Sequence, residues 1–269
     1  MRLNLHTHSY YSDGVFAPEE VVKMQADENI EAMSLTDHDS ISGIDEAVAA
    51  GEKLGLRVLP GIELSSYSNF EIHILGYNFD YKNPSFQQKL DDIKELRRIR
   101  IGKTVERLKE LNVKLDTSAL DFENENLGRV HIARLMVKQG FAASVSEAFY
   151  YYLGAGKKAH IAGYRLRPFE AVRFIKDFGG VAVLAHPVYI QKDKLELLIS
   201  GLAAYGLDGI ECYYSSHNET DTKRFLDLAA KYRLIVTNGT DMHDSNLYIS
   251  PCYVNDKADG KSLKKLNLI

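Results

Sequence analysis

Two histidines separated by one residue stand near the start of the chain, and an aspartate follows five residues after the second. They are His6, His8 and Asp13 in the segment HTHSYYSDG. Neutral imidazole and carboxylate groups are ligands for zinc, manganese and iron(II), so this segment could begin a metal site. A polar strand end followed by a turn has the same composition. The segment alone leaves both interpretations open.

The same residue types recur after several other apolar runs. They are Asp37 and His38 in LTDHDS, Glu63 in PGIELS, His73 in FEIHILGY, His186 in LAHP, and Asp241 and His243 in GTDMHD. Each one alone has an ordinary explanation, such as a turn, a surface ion pair or a core histidine. Their joint occurrence at separate strand ends favours one multinuclear metal centre. The absence of a cysteine from these motifs argues against a structural zinc site.

Strand-like runs alternate with helical patterns, which predicts an α/β sheet or barrel. Strands are predicted at 3–6, 32–36, 57–62, 72–77, 181–185, 209–213 and 234–237, and helices at 18–28, 44–54, 168–178, 195–205 and 219–232. Such alternation predicts parallel strands with crossover helices. In parallel α/β architectures the active site is built from loops at the carboxyl ends of the strands, which is where the ligand-type residues fall.

The middle of the chain breaks this alternation. Helical patterns cover 84–111, 129–139 and 145–153, with no convincing strand between them. We therefore predict a helical insertion at 78–161 that covers the active site, in a barrel formed by 1–77 and 162–269. The basic residues between 94 and 107 mix with acidic ones on several helix faces, so this stretch is expected to be a solvated helix.

Composition restricts the classes of function. The 269 residues carry a formal net charge of −4, which argues against a general nucleic-acid coat, and no stable DNA partner is expected. No apolar run approaches the roughly 20 residues that span a bilayer, so no membrane association is expected. Cys212 and Cys252 are isolated, which indicates core thiols in a reducing compartment. With no signal-peptide pattern visible, a cytoplasmic protein is expected.

Together the motifs resemble the polymerase and histidinol phosphatase (PHP) family of metal-dependent phosphoesterases. The matching segments are HTHSYYSDG (6–14), LTDHDSISG (35–43), PGIELS (60–65), HILGY (73–77), LAHP (184–187) and GTDMH (239–243). Three further stretches resemble one branch, the stand-alone nucleases and nucleotidases that act on nucleoside 3′,5′-bisphosphates and the 5′ ends of short RNAs. These are GRVHIARLMVKQGF (128–141), AFYYYLGAGKKAHI (148–161) and GLDGIECYYSSH (206–217).

The resemblance implies a distorted seven-stranded (β/α) barrel with two or three divalent metal ions, manganese first and iron or zinc as alternatives. By position, the first metal would be held by His6, His8 and Asp241, the second by His73 and His186 with Glu63 bridging the two, and the third by Asp13, His38 and His243. The chain departs from the branch at its last motif, where Met242 and Asp244 stand in place of phenylalanine and glycine.

Candidate substrate and catalytic residues lie outside the ligand set. Arg129, His131 and Arg134 are predicted to bind a second phosphate, because arginine recognises phosphate bidentately; the alternative is an exposed helix start with salt bridges. His217, just after the sixth strand, is the candidate general acid or substrate contact, and it could equally neighbour a helix cap. Asp37, beside His38, is a catalytic candidate that would orient ligand imidazoles.

The predicted activity is metal-dependent removal of phosphate from nucleoside 3′,5′-bisphosphates by metal-activated water, with 5′–3′ trimming of short RNA as a further activity. The expected partner is thus a phosphorylated nucleotide or short RNA. A small-molecule phosphatase of the histidinol-phosphate type is the first alternative. A non-catalytic metal-binding regulatory module is an alternative of another class. The sequence leaves the oligomeric state open.

Overall fold

A computed structural model describes residues 1–120, 127–163, 165–245 and 260–269. In these residues seven strands form one sheet whose spatial order follows the chain. The strands are β1 (Leu3–Thr7), β2 (Ala32–Leu35), β3 (Arg57–Tyr67), β4 (Glu71–Tyr77), β5 (Val181–Leu184), β6 (Gly209–Tyr214) and β7 (Ile235–Gly239). Each predicted strand is therefore present, with ends that differ by a few residues.

The first and last strands meet and nearly close the sheet into a barrel. The Asp241 amide donates to the carbonyl oxygen of His6, and the His8 amide donates to that of Met242, both at 2.9 Å. The Asn4 side chain donates to Thr240 Oγ1, also at 2.9 Å. The predicted distorted seven-stranded (β/α) barrel is thereby confirmed.

Strand β4 runs antiparallel to both of its neighbours, while the other pairs are parallel. The expectation of parallel strands joined by crossover helices is therefore wrong for β4. Only residues 68–70 separate it from β3, and a parallel pair needs a crossover of a dozen or more residues. Because β4 is reversed, its first residues lie at the same rim as the last residues of its parallel neighbours. This reversal brings His73 close to Glu63.

Helices surround the barrel. They are α1 (Pro18–Asp27), α2 (Ile44–Leu54), α3 (Pro84–Glu110), α4 (Arg129–Lys138), α5 (Val145–Ala148), α6 (Pro168–Asp177), α7 (Lys192–Ala204), α8 (Glu219–Lys231) and α9 (Gly260–Lys265). A π-helical turn, Phe149–Leu153, continues α5. Below the rim the barrel interior is apolar, with Leu5, Leu59, Leu75 and Tyr77 in one buried cluster. The Tyr77 hydroxyl donates to the Leu5 carbonyl at 2.9 Å.

Helices α3 to α5 share a hydrophobic cluster of their own, which includes Ile101, Ile132, Met136 and Leu153. The extent of the insertion stays a prediction. Among the described residues no helix combines the length and apolarity that a membrane span needs. Cys212 is buried, whereas Cys252 lies outside the described residues.

The basic stretch of α3 is only partly solvated, so the expectation of a solvated helix is wrong for two of its arginines. Arg97 and Arg100 are 6% and 4% exposed, whereas the side chain of Arg98 is 49% exposed and pairs with Glu95. Arg97 donates to Asp39 Oδ2 at 2.7 Å. These two arginines face the barrel rim, where a carboxylate and a cavity receive them.

Glycine 61 allows β2 and β3 to approach closely, which predicts opposite effects of alanine at two glycines. A Cβ at Gly61 would overlap Ser34 Oγ and lie 2.7 Å from the Leu35 carbonyl oxygen. Gly61→Ala should therefore lower the free energy of unfolding by about 1–3 kcal/mol, as overpacking does. Gly102→Ala, in α3 where a Cβ meets no atom within 4 Å, should raise it by up to about 1 kcal/mol. Urea denaturation measures both, and a Gly61→Ala protein as stable as the parent would contradict this packing.

Candidate metal centre

The structure brings all nine predicted ligand residues to one end of the barrel. They are His6, His8, Asp13, His38, Glu63, His73, His186, Asp241 and His243. Eight of them form three overlapping groups whose ligand atoms lie within 4.8 Å of one another. The remaining one, His186, lies with its Nε2 3.1 Å from Glu63 Oε1. Residues from six separate strand ends therefore meet in one place.

Glu63 lies at the centre of these residues and is fully buried. Its Oε2 has three imidazole nitrogens within 3.3 Å, those of His6, His8 and His38. Its Oε1 lies 2.9 Å from His73 Nδ1 as well as 3.1 Å from His186. One carboxylate thus faces imidazoles on both of its oxygens, as a bridging ligand must.

Four donor atoms in the first group have the spacing that a cation requires. Both Nε2 atoms, of His6 and His8, lie 3.0–3.3 Å from Glu63 Oε2 and Asp241 Oδ1. Ligand atoms about 2.0–2.2 Å from a cation are about 3.0–3.5 Å apart. His6 Nε2, His8 Nε2 and Glu63 Oε2 are buried and have no hydrogen-bond partner among the described residues. A divalent ion between them would satisfy these atoms, so the residues fit a metal.

A second group lies on the other side of His8. Asp13 Oδ1 is 3.0 Å from His243 Nε2, and Asp13 Oδ2 is 3.8 Å from His38 Nε2. The rings of His8 and His243 stack at 4.2 Å. His38 faces Glu63 with Nδ1 and Asp13 with Nε2, so it borders two possible cation positions, whereas the resemblance implied one. Asp13 joins the cluster here as the sequence predicted.

The carboxylates and imidazoles perturb one another strongly. Burial raises the pKa of a carboxyl, but the facing imidazoles hold the pKa values of Asp13, Glu63 and Asp241 well below their usual range. Burial lowers the pKa of an imidazole, but the facing carboxylates raise it at His73 and at His243 to about 10. In the metal-free cluster, protons therefore occupy positions that a cation would take.

At His38 burial prevails over the two carboxylates that face it. With neighbouring imidazoles acting in the same direction, it lowers the pKa of His38 to about 3. This ring is therefore neutral at physiological pH and needs no deprotonation before it binds a metal.

Asp37 holds the loop that follows β1. It accepts hydrogen bonds from the amide and hydroxyl of Ser9 at 2.7 and 2.6 Å and from the Ser12 hydroxyl at 2.6 Å. Ser12 Oγ in turn lies 3.4 Å from His8 Nδ1. Asp37 thus reaches a ligand imidazole through Ser12, and its catalytic role stays a prediction.

Glu211 is a functional candidate that the sequence reasoning missed. It is fully buried, and its Oε1 accepts from His6 Nδ1 at 3.0 Å, which leaves His6 Nε2 to face the metal position. Its Oε2 accepts from the His186 amide at 2.7 Å. The side chain needs a glycine beside it, because a Cβ at Gly239 would lie 2.6 Å from Glu211 Oε1. The signal was an acidic residue inside the apolar strand GIECYY.

His217 lies beside the cluster and outside the cavities described below. Its Nδ1–H donates to the Cys212 carbonyl at 3.0 Å, and its ring contacts Tyr214 and Phe225. Tyr214 stands nearer the site, since its hydroxyl donates to Asp241 Oδ2 at 3.0 Å. The assignment of His217 as general acid stays a prediction that this placement does not favour.

A cavity of about 100 Å³ joins the ligand cluster to three arginines. Asp13, His38 and His73 border one end, and Arg97, Arg100 and Arg129 border the other. Glu71 lies between the two ends and pairs with Arg129. A second cavity, of about 220 Å³, opens beside His73 and His186 and is walled by Ile72, Tyr189 and Ile190.

The three predicted phosphate-binding residues occupy different places around the first cavity. Arg129 lines it and also donates to the Leu153 carbonyl at 3.1 Å. His131 Nδ1 accepts from the Gly128 amide at 2.9 Å, and Arg134 donates to the Asp13 carbonyl at 3.0 Å. The latter two residues therefore contact the frame of the cavity.

Comparisons with known proteins agree with this geometry. A model of the PHP domain matches residues 4–160. A 5′-3′ exoribonuclease of Haemophilus influenzae is 32% identical over 90% of this chain and 90% of its own length. A 3′,5′-nucleoside bisphosphate phosphatase of Chromobacterium violaceum is 31% identical over 90% of this chain and 87% of its own. A solved structure of an amidohydrolase from the same organism, with bound sulfate and no metal, has a TM-score of 0.84 at 31% identity and covers 91% of this chain and 88% of that one.

The raised imidazole pKa values predict that metal affinity depends on pH. Protons on His73 and His243 must leave before a cation binds, because only the unprotonated nitrogen is a ligand. The apparent affinity should fall as pH falls from 8 to 6, by about tenfold per unit for each proton displaced. Calorimetric titration of chelator-treated protein in buffers of different ionisation enthalpy counts the protons released. An affinity that does not change over this range would contradict the assignment.

Glu63→Gln should remove metal and activity together, because an amide cannot supply the charge that both oxygens of Glu63 present to the cluster. The loss of affinity should exceed the about 10–100-fold that loss of an outer hydrogen-bond partner causes. Elemental analysis and phosphate release measure the two effects on one preparation, with Glu52→Gln on the exposed face of α2 as the control. A metal-replete and fully active Glu63→Gln protein would refute the bridging role.

Proposed function

The chain belongs to the PHP domain family and is a metal-dependent phosphoester hydrolase, and from this premise we propose that it removes a phosphate from nucleoside 3′,5′-bisphosphates. The 5′ end of short RNA is proposed as a further substrate of the same site. The single observation that carries the proposal is the cavity with metal-ligand side chains at one end and three arginines at the other. A substrate with two phosphate groups matches both ends.

The names of the relatives support this choice of substrate. One relative is named a 5′-3′ exoribonuclease and another a 3′,5′-nucleoside bisphosphate phosphatase, and the solved amidohydrolase structure contains sulfate, an anion with the shape of phosphate. At about 30% identity these names guide the proposal without deciding the substrate of this chain.

We propose that the nine residues of the cluster hold two or three divalent cations, with manganese as the expected ion. His6, His8, Glu63 and Asp241 would hold one, and Glu63 would share a second with His38, His73 and His186. Asp13, His38 and His243, beside His8, would hold the third. When bound, the cations supply Lewis-acid activation of water and of the phosphoryl oxygens.

The protein residues around the cluster have separate tasks in this proposal. Glu211 keeps the proton of His6 on Nδ1 and so turns Nε2 toward the cluster. Tyr214 orients Asp241 through its hydroxyl, and Asp37 fixes the loop that carries His8. Two or three divalent cations outweigh the three carboxylates of the cluster, and the resulting positive charge attracts an anionic substrate.

Residues 78–161 are proposed as the inserted unit that supplies the far end of the substrate site. Arg97 and Arg100 come from α3, Arg129 from the first position of α4, and Phe149 from the π-helical turn, and all four line the cavity. The nucleoside would extend into the second cavity, beside Tyr189 and Ile190.

Histidinol phosphate fits this site less well, because it carries one phosphate and a cationic amine. An ammonium group near three guanidinium groups would be repelled. A non-catalytic module fits less well too, because all nine positions keep ligand-type side chains in close contact.

Phosphate release from a substrate panel tests the proposed substrate class. With manganese present, adenosine 3′,5′-bisphosphate should release phosphate faster than histidinol phosphate, and 5′-phosphorylated oligoribonucleotides should yield mononucleotides. Release from the bisphosphate no faster than from histidinol phosphate would overturn the substrate assignment and leave the hydrolase class intact.

Arg129→Ala should weaken binding of the second phosphate. A hydrogen bond to a charged group contributes about 1.5–3 kcal/mol, so KM for the bisphosphate should rise about tenfold or more. KM for nitrophenyl phosphate, which has a single phosphate, should rise far less. Lys138→Ala, at the exposed end of the same helix, serves as the control. Equal effects of Arg129→Ala on both substrates would remove the two-phosphate interpretation.

A further inference from the structure

Four arginines surround Glu71 on the side away from the metal ligands, and we call them the arginine cluster. They are Arg97, Arg100, Arg129 and Arg165. Arg97 and Arg100 are 6% and 4% exposed, and the side chains of Arg129 and Arg165 are 13% and 2% exposed. Like charges are costly to bury together, so each guanidinium group needs a counter-charge or hydrogen-bond acceptors.

The carboxylates in contact with the arginine cluster compensate half of its charge. Arg97 pairs with Asp39 at 2.7 Å. Arg129 pairs with Glu71 Oε2, and Arg165 Nη1 lies 3.8 Å from Glu71 Oε1. Four guanidinium groups therefore face two carboxylates, and Arg100 has no carboxylate within ion-pair distance among the described residues. Two positive charges remain.

Hydrogen bonding leaves the same two arginines unsatisfied. Among the described residues, Arg100 Nε and all three guanidinium nitrogens of Arg165 are buried without a hydrogen-bond partner. His160 Nε2 is in the same condition. Buried polar atoms in folded proteins nearly always have partners, so these donors indicate a ligand with acceptor oxygens.

The electrostatic state of Arg100 agrees with this interpretation. Burial and the neighbouring guanidinium groups of Arg165 and Arg97 lower its pKa to about 8. The same surroundings hold the pKa of Glu71 well below its usual range, against the effect of burial, through His73 and Arg129. The cluster is a positive site that lacks an anion.

The anion would enter from the metal centre. Arg97, Arg100 and Arg129 line the same cavity as Asp13, His38 and His73. Glu71 Oε1 lies 3.6 Å from His73 Nε2 and 3.8 Å from Arg165 Nη1, so a single carboxylate separates the ligand cluster from the far arginine. An anion here would lie one small substituent away from a phosphate on the metals.

We propose that the arginine cluster binds a terminal phosphate monoester in its dianionic form, the phosphate of the substrate that does not react. This inference rests on the proposed function, since it names the group that the second end of the site accepts. A monoester brings two negative charges, which match the two uncompensated positive charges, and three terminal oxygens for the unpartnered donors. An internal phosphodiester brings one charge and two such oxygens. The enzyme would therefore select chain ends and bisphosphates over internal RNA positions.

Substitution of Arg100 by methionine tests the proposal through stability and binding together. Methionine keeps the apolar stem and removes the uncompensated charge, and removal of such a charge is often neutral or stabilising. In phosphate-free buffer, the Tm of chelator-treated Arg100→Met should equal or exceed that of the parent. An arginine with a purely structural role would instead give a lower Tm. Arg165→Met should behave in the same way, so the result does not depend on one position.

Ligand binding is measured on the same metal-free proteins, so that catalysis plays no part. Adenosine 5′-monophosphate should raise the Tm of the parent and of the control Arg98→Met, on the exposed face of α3. The methyl phosphodiester of the same nucleotide should raise it far less. Both shifts should be small in Arg100→Met and Arg165→Met. Inorganic phosphate as a third ligand distinguishes a free anion from the phosphate of a nucleotide: a larger shift with the nucleotide assigns the site to substrate.

Kinetics with metal restored complete the test. The ratio of kcat/KM for adenosine 3′,5′-bisphosphate to that for adenosine 3′-monophosphate should fall about tenfold or more in Arg100→Met. An unchanged ratio, equal Tm shifts with monoester and diester, or destabilisation of both methionine variants would overturn the proposal. If the parent hydrolyses no bisphosphate but still shows the monoester-specific shift, the proposed function fails and the anion site stands.

Discussion

The burial of six imidazoles and three carboxylates in one small volume is the constraint on which the rest of the structure depends. Glu63 alone faces five of the imidazoles, at 2.9–3.3 Å. Groups this close repel or protonate one another unless cations lie between them, so the cluster has the character of a site prepared for metal. A phosphate-bearing substrate follows from the same charge balance.

The backbone around this cluster is held in unusual conformations. Asp39, His186 and Asp241 all have positive φ values, of 48°, 24° and 55°, a region that costs energy for residues other than glycine. Buried carboxylates hold at least two of these turns in place. Glu211 receives the amide of His186 at 2.7 Å, and Asp39 pairs with Arg97 and also accepts from the Ser65 amide at 2.9 Å. The strain lies where ligand side chains must converge from different strands.

Residue type and strand position were enough to predict the ligand set and the barrel. His73 was found although its strand runs in the opposite direction, because the motif around it was recognised and not because its geometry was foreseen. The residues that escaped prediction are those whose surroundings are decided by tertiary packing. Arg97 and Arg98 are neighbours in a uniformly charged helix, yet one is buried against Asp39 and the other pairs with Glu95 in solvent. Glu71, Glu211 and Arg165 likewise gain their meaning only from partners distant in sequence.

Anomalous diffraction from crystals grown with manganese tests the central claim most directly. The account predicts anomalous peaks enclosed by the cluster, one of them between His6, His8, Glu63 and Asp241, and a further one on the other side of Glu63. An ordered cluster without any anomalous peak at saturating manganese, iron or zinc would contradict it, as would metal bound only at other places on the protein.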